Sequence, residues 1–265
     1  MIKCVQLSNR KKIKRIADRF ELFLKNRFVC YKAEKKKSFG QMYPDKTIFI
    51  IRRDDKCGLG SFIVTNIRMI KEAVDKEWIP VIDMKNYKNA YQSDLDIGKE
   101  NVWEYYFEQP DKRINLDIAY QCKNAVLSNV RIPKEQADKP GFNIEFLNNR
   151  QLIQEYREVA AKYIRLNKKT LLYIDKIYND CFDKSDRILG VVVRGTDYVL
   201  NKPKNHPVQP TAEQAIEKCR EVMKEQNCNK IFLATEDKKI YDAFNYAFKS
   251  QLVTNPKEYV EYRGG

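Results

Sequence analysis

Two stretches of this chain alternate strand, loop, helix and strand, and that alternation limits the fold more than any other feature. Thr47-Ile48-Phe49-Ile50-Ile51 is a short β-rich run of the kind found in buried strands. It is followed by the polar loop Arg52 to Gly60, then by a helical pattern from Phe62 to Lys76 with Ile63, Ile67, Ile70 and Val74 on one face. Ser61 or a neighbour is expected to cap that helix. Trp78 to Asp83 reads as the next strand. The second stretch runs strand 188–193, helix 212–226, strand 230–234, helix 238–248 and a short strand at 251–253. Repeated βαβ alternation predicts an α/β fold with parallel sheets.

Between the two lies an irregular region, 84–150, rich in Asn, Asp and Tyr. A helical tract from Asn149 to Phe182 follows, broken near Asn167-Lys168-Lys169. With 265 residues and 43% hydrophobic content, the chain has room and apolar matter for two ordinary domains. The expected division is a basic helical N-terminal segment, 1–45; a first α/β domain with long helices at its end, 46–182; and a partial second α/β domain, 183–265.

The charge is lopsided. Of a net +14, the first 60 residues carry 17 Lys+Arg against 6 Asp+Glu. Leu7 to Phe28 has near-helical apolar spacing among Lys11, Lys12, Lys14, Arg15 and Arg19, and Lys35-Lys36-Lys37 follows. Three readings compete for residues 1–45: a solvated helix packed on the domain, adsorption to an anionic membrane surface, and nucleic-acid binding. The last ranks lowest, because no recognised nucleic-acid module accompanies the charge. No apolar run approaches the length of a membrane span, and no signal peptide is read at the N-terminus. Seven cysteines without a CxxC spacing read as reduced thiols, and the single histidine, His206, excludes a His-rich metal site. The expectation is a cytoplasmic protein, with peripheral contact at the inner membrane face as an extension of it.

The residues with chemistry cluster at strand ends. Arg194-Gly195-Thr196-Asp197 follows strand 188–193, at the edge where open parallel sheets bind ligands. An arginine there can grip a phosphate with two hydrogen bonds, and Gly195 allows close backbone approach; a salt-bridged strand end is the competing reading. Thr235-Glu236-Asp237 follows strand 230–234, where a carboxylate can accept from a guanine edge or ribose hydroxyls, or can simply cap the helix beginning at Lys238. Gly58-Leu59-Gly60 is a glycine loop, but Ile63 stands where a dinucleotide fingerprint needs glycine, and no phosphate-binding GxxxxGK[ST] occurs. His206-Pro207 sits in the loop after Asp197.

Taken in order, Cys57-Gly58-Leu59-Gly60, Trp103-Glu104, Gly190 to Asp197, His206-Pro207 and Phe232 to Asp237 resemble the α1,6-fucosyltransferase superfamily. The resemblance spans roughly residues 46–240. It implies a GT-B-like architecture of two Rossmann-type halves, a GDP-sugar donor (typically GDP-fucose), a glycan acceptor and metal-independent, cofactor-free transfer with inversion. It implies that Arg194 binds the donor diphosphate, that Asp237 contacts guanine, and that Gly58 and Gly60 form the glycine loop of the first half; Thr196 and Glu236 are counted with the substrate-binding residues. The acceptor would lie between the halves, with Tyr105 and Tyr106 offered to its sugars and Trp103 reading more as core.

The chain departs from the pattern at Val192, where the family often has histidine, and at Gly195, where it often has a second arginine. No Asp or Glu lies between Asp197 and His206, so those two residues are the remaining candidates for the base. Only 28 residues follow Asp237, too few for the sheet segment the family adds there; the C-terminal half is therefore expected to be incomplete. The rival from another class is a non-catalytic protein that keeps the fold and binds carbohydrate or nucleotide.

Overall fold

The structure is a computed structural model that describes residues 34–54, 57–93, 96–130, 148–195, 208–255 and 257–259. The chain divides into two compact units, Met1–Leu171 and Leu172–Gly265. Both are α/β units built on parallel sheets, as the alternation predicts.

In unit 1, β2 (Ile48–Arg52) lies between two parallel neighbours, β3 (Ile79–Asp83) and β4 (Ala125–Leu127). β1 (Lys35–Lys37) pairs antiparallel with β4, giving the order β1-β4-β2-β3. All five residues of β2 are buried, which is why the run reads as uniformly apolar rather than alternating. On one face, helix α1 (Leu59–Asp75) lays Phe62, Ile70 and Ala73 on Phe49, Ile51 and Ile82. On the other, Ile114, Leu116 and Ala119 cover Ile48, Ile50 and Val81. Leu116 and Ala119 belong to the one-turn helix α2 (Leu116–Ala119), which Asn115 caps by accepting from the Ile118 N–H.

Three features differ from the sequence reading. Lys35–Lys37, counted with a basic helical segment, form a strand. A sheet edge tolerates lysine because the side chains reach water and discourage pairing with other chains. β4 lies inside the region read as irregular, and its three buried residues are too short a run for periodicity to register. Finally, α1 starts before Ser61. Gly58 is its N-cap and gives no side-chain hydrogen bond, while Ser61 lies inside the helix and accepts from the Arg53 guanidinium. The basic pattern at Leu7–Phe28 lies outside the described residues.

Helix α3 (Arg150–Tyr163) brings Val159 and Tyr163 against the first core cluster. α4 (Lys168–Cys181) follows a break at Ile164–Asn167, where the Asn167 side chain accepts from the Thr170 N–H. The break is the one the sequence places there.

In unit 2, β5 (Ile188–Val192), β6 (Lys230–Ala234) and β7 (Leu252–Val253) form a parallel sheet in that order. α5 (Ala212–Glu225) begins with a reciprocal Thr211–Gln214 capping box and buries Ala215, Cys219 and Met223. α6 (Lys238–Phe248) buries Phe244 and Phe248. Together they pack on Ile231, Leu233 and Val193.

Candidate functional site

Each unit gathers polar residues at the carboxyl ends of its strands, the edge that open parallel sheets present to ligands. In unit 2 the two strand-end segments are brought together. The ladder continues past β5, where the Val193 N–H donates to the Ala234 carbonyl at 3.1 Å. One residue further, the Gly195 N–H donates to Glu236 Oε1 at 3.1 Å. Between them Arg194 is exposed at the strand end. It is therefore not an arginine sunk in an interior ion pair.

Asp237 has a second task. It is the N-cap of α6, and its Oδ1 accepts from the Lys239 N–H at 2.8 Å and the Ile240 N–H at 3.2 Å. The Thr235 hydroxyl accepts from the Asp237 N–H at 3.2 Å and tightens the turn. Capping is thus a demonstrated role of Asp237, as one of the two sequence readings had it. The same side chain lies against Gly195. A Cβ on residue 195 would sit 2.6 Å from Asp237 Cβ and 2.8 Å from its Cγ, closer than real contacts allow. Glycine is required at 195 because another side chain already occupies the space.

Thr196, Asp197 and His206 lie outside the described residues. Gly58 and Gly60 belong to unit 1, at the start of α1. Their surroundings differ from those of Gly195, since an added Cβ at either meets nothing within 4 Å. The contrast gives an expected result. Gly60→Ala, inside a helix, should stabilise unit 1 by up to about 1 kcal/mol. Gly195→Ala should destabilise unit 2 by about 1–3 kcal/mol, because an overpacked neighbour must move. Urea unfolding of the two variants checks the difference in sign.

The strand ends of unit 1 carry a buried polar cluster that the sequence reading passed over. Arg52 and Asp83 are register partners at the ends of β2 and β3 and are 2% and 0% exposed. The Arg52 guanidinium donates to the Ser128 carbonyl through Nε at 2.9 Å and also through Nη2, and to the Tyr87 hydroxyl at 3.1 Å. Asp83 accepts from the Lys85 N–H, the Asn86 N–H and the Asn86 amide, and from the Tyr120 hydroxyl at 2.7 Å. Burial first, and then the Asp83 charge, push the Tyr120 phenol far above its ordinary value. The available signal was a charged residue ending each of two adjacent strands.

Also in unit 1 is a cavity of about 350 Å³, lined by Lys85, Lys99, Glu100, Asn101, Glu104, Tyr105, Asn115, Leu116 and Asp117. Tyr105 and Tyr106 are each 40% exposed, while Trp103 is fully buried. Trp103 stacks on Phe107 at 4.4 Å between ring centroids. Its Nε1–H donates to the Glu108 carbonyl at 3.0 Å. It is a core residue, as read. Among the described residues, no three His, Cys, Asp or Glu side chains gather as a metal-ligand set. Nor is any helix among them long and apolar enough to cross a membrane.

No family model matches the chain, and no curated protein matches it in sequence. Solved structures do match. The fucosyltransferase NodZ from Bradyrhizobium is 18% identical, with 80% of each chain covered and a TM-score of 0.49. NodZ α1,6-fucosyltransferase soaked with GDP-fucose is 16% identical, covering 80% of this chain and 79% of that one, at a TM-score of 0.45. POFUT1 in complex with GDP is 10% identical, covering 80% of this chain and 85% of that one, at a TM-score of 0.48. The first two are named as fucosyltransferases.

Proposed function

We propose that this chain is a glycosyltransferase that moves a sugar, fucose on the strength of the motif resemblance, from a GDP-sugar to a hydroxyl of a carbohydrate acceptor, with inversion and without a metal. The observation that carries the proposal is the juxtaposition in unit 2. An exposed arginine ends one parallel strand, and Glu236 and Asp237 end the next, with the Gly195 N–H fixed on Glu236.

In this reading the acceptor oxygen attacks the sugar carbon from the face opposite the diphosphate. The carbon–oxygen bond to the diphosphate breaks while the sugar gains oxocarbenium character. GDP leaves with that electron pair, and the Arg194 guanidinium, already at the strand end, stabilises the developing charge. Glu236 and Asp237 face the nucleoside, with Thr196 beside the diphosphate and Gly58 and Gly60 forming the glycine loop of the other unit. The acceptor proton passes to a base, for which Asp197 and His206 are the proposed candidates. Cytoplasmic residence, and membrane contact through residues 1–45, belong to the same proposal.

Calorimetric titration with GDP tests it. Two charge-assisted hydrogen bonds of about 1.5–3 kcal/mol each make Arg194→Ala weaken GDP by about a hundredfold or more. Unchanged affinity defeats the assignment. GDP binding without transfer of sugar to any glycan favours the non-catalytic binding protein instead.

A further inference from the structure

The cavity in unit 1 differs in chemistry from the strand ends of unit 2. We propose that it is a saccharide-binding pocket in which Glu104 accepts a sugar hydroxyl. Assigning that saccharide as the transfer acceptor rests on the glycosyltransferase reading.

The volume, about 350 Å³, falls within the range of small-molecule sites. The charges argue against an anion. Lys85 lies 3.6 Å from Asp117, and Lys99 lies 2.9 Å from Asp96, so both cations already face carboxylates. A phosphate here would also meet Glu100 and Glu104. A neutral ligand rich in hydroxyls meets no such opposition.

Glu104 is held as a recognition group would be. Its Oε1 accepts from Asn101 Nδ2 at 3.1 Å and from Gln109 Nε2 at 2.8 Å. Both amides are buried, and both are tied to the end of β3. Each donates to the Ile82 carbonyl, Asn101 accepts from the Met84 N–H, and Gln109 accepts from the Ile82 N–H. Their hydrogen bonds fix one carboxylate oxygen at the surface of the sheet. Glu104 itself is exposed, and among the described residues nothing partners its Oε2. A fixed carboxylate oxygen with open valence accepts an O–H strongly and loses little freedom in doing so.

The rest of the wall suits the same ligand. Tyr105 presents an amphipathic ring, and the neighbouring Glu100 carboxylate holds its phenol above the ordinary value. Asn115 spends its carbonyl oxygen on capping α2, and its amide N–H₂ is left as a donor without a partner among the described residues. The turn bearing Glu104 and Tyr105 is tied down from the α3–α4 break. Asn167 donates to the Glu104 carbonyl at 2.8 Å and to the Tyr106 carbonyl at 2.9 Å. An acceptor, a donor and an aromatic wall thus stand on one rigid frame.

Saturation-transfer NMR and calorimetry on the full chain test the proposal. The probes are methyl β-glucopyranoside, methyl β-galactopyranoside and N-acetylglucosamine, with inorganic phosphate as the control anion. At least one sugar should bind saturably with a dissociation constant of about 1 mM, and phosphate should not displace it. Glu104→Gln, which keeps an oxygen for Asn101 and Gln109, should weaken binding at least about tenfold. Tyr105→Ala, at an exposed position, should weaken it similarly. Melting temperature and GDP affinity should be unchanged in both variants. The proposal is overturned if no probe binds, if phosphate competes, or if sugar binding survives Glu104→Gln. If the wild-type chain binds sugar but not GDP, the pocket stands and the donor reading fails.

Discussion

Asp83→Ala is expected to destabilise unit 1 by about 3–5 kcal/mol, because removing one member of a buried charged cluster strands the others. Four donors converge on this fully buried carboxylate: two backbone N–H groups, the Asn86 amide and the Tyr120 hydroxyl. All would lose that acceptor, and the half-buried Tyr120 hydroxyl and Lys85 N–H would have little water to replace it. Tyr120→Phe removes a single donor and should cost only about 1 kcal/mol near neutral pH.

The two variants also separate in alkali. The folded Tyr120 phenol titrates above its unfolded value of 10.0. Below that value both states hold the proton and the group contributes no slope. Above it the unfolded chain releases the proton first, so stability falls as pH rises, by about 1.4 kcal/mol per pH unit. Denaturant midpoints for wild type and Tyr120→Phe should therefore converge, then cross, as the pH is taken above about 10. Parallel curves would mean that the phenol is not held protonated.

Trp103→Ala is the second large effect, again about 3–5 kcal/mol, from deletion of a fully buried indole. The indole stacks on Phe107 and anchors to the Glu108 carbonyl. Its loss removes the floor beneath the turn Val102–Tyr105, so saccharide binding should fall together with stability. Urea unfolding and sugar titration of the same variant check this. A variant that keeps its stability but loses sugar binding would show the indole to be a ligand contact instead.

The α/β class, the parallel sheets and nearly every strand of more than three residues were legible, because buried parallel strands appear as plain apolar runs and their helices keep a 3.6-residue period. That Arg194-Gly195 and Glu236-Asp237 each end a strand was legible too, and the register of those strands is what pairs them. β1 and β4 were not, since a three-residue strand gains its identity from its partners rather than from its own sequence. The Arg52–Asp83 cluster escaped for another reason. Arg52 read as the start of a polar loop and Asp83 as an ordinary strand end, and only the register shows that the two are buried side by side. The Glu104 frame depends on Asn101, Gln109 and Ile82, whose convergence no local spacing announces.

Asp237 shares one carboxylate between the first turn of α6 and the surface of Gly195. The amides of Lys239 and Ile240 are therefore built-in reporters of the neighbouring strand ends. A ligand that draws the carboxylate away must release both N–H groups, and their hydrogen exchange with solvent should quicken as it binds. A ligand that leaves the carboxylate in place should slow the same exchange, so two amide signals distinguish recognition by Asp237 from recognition beside it.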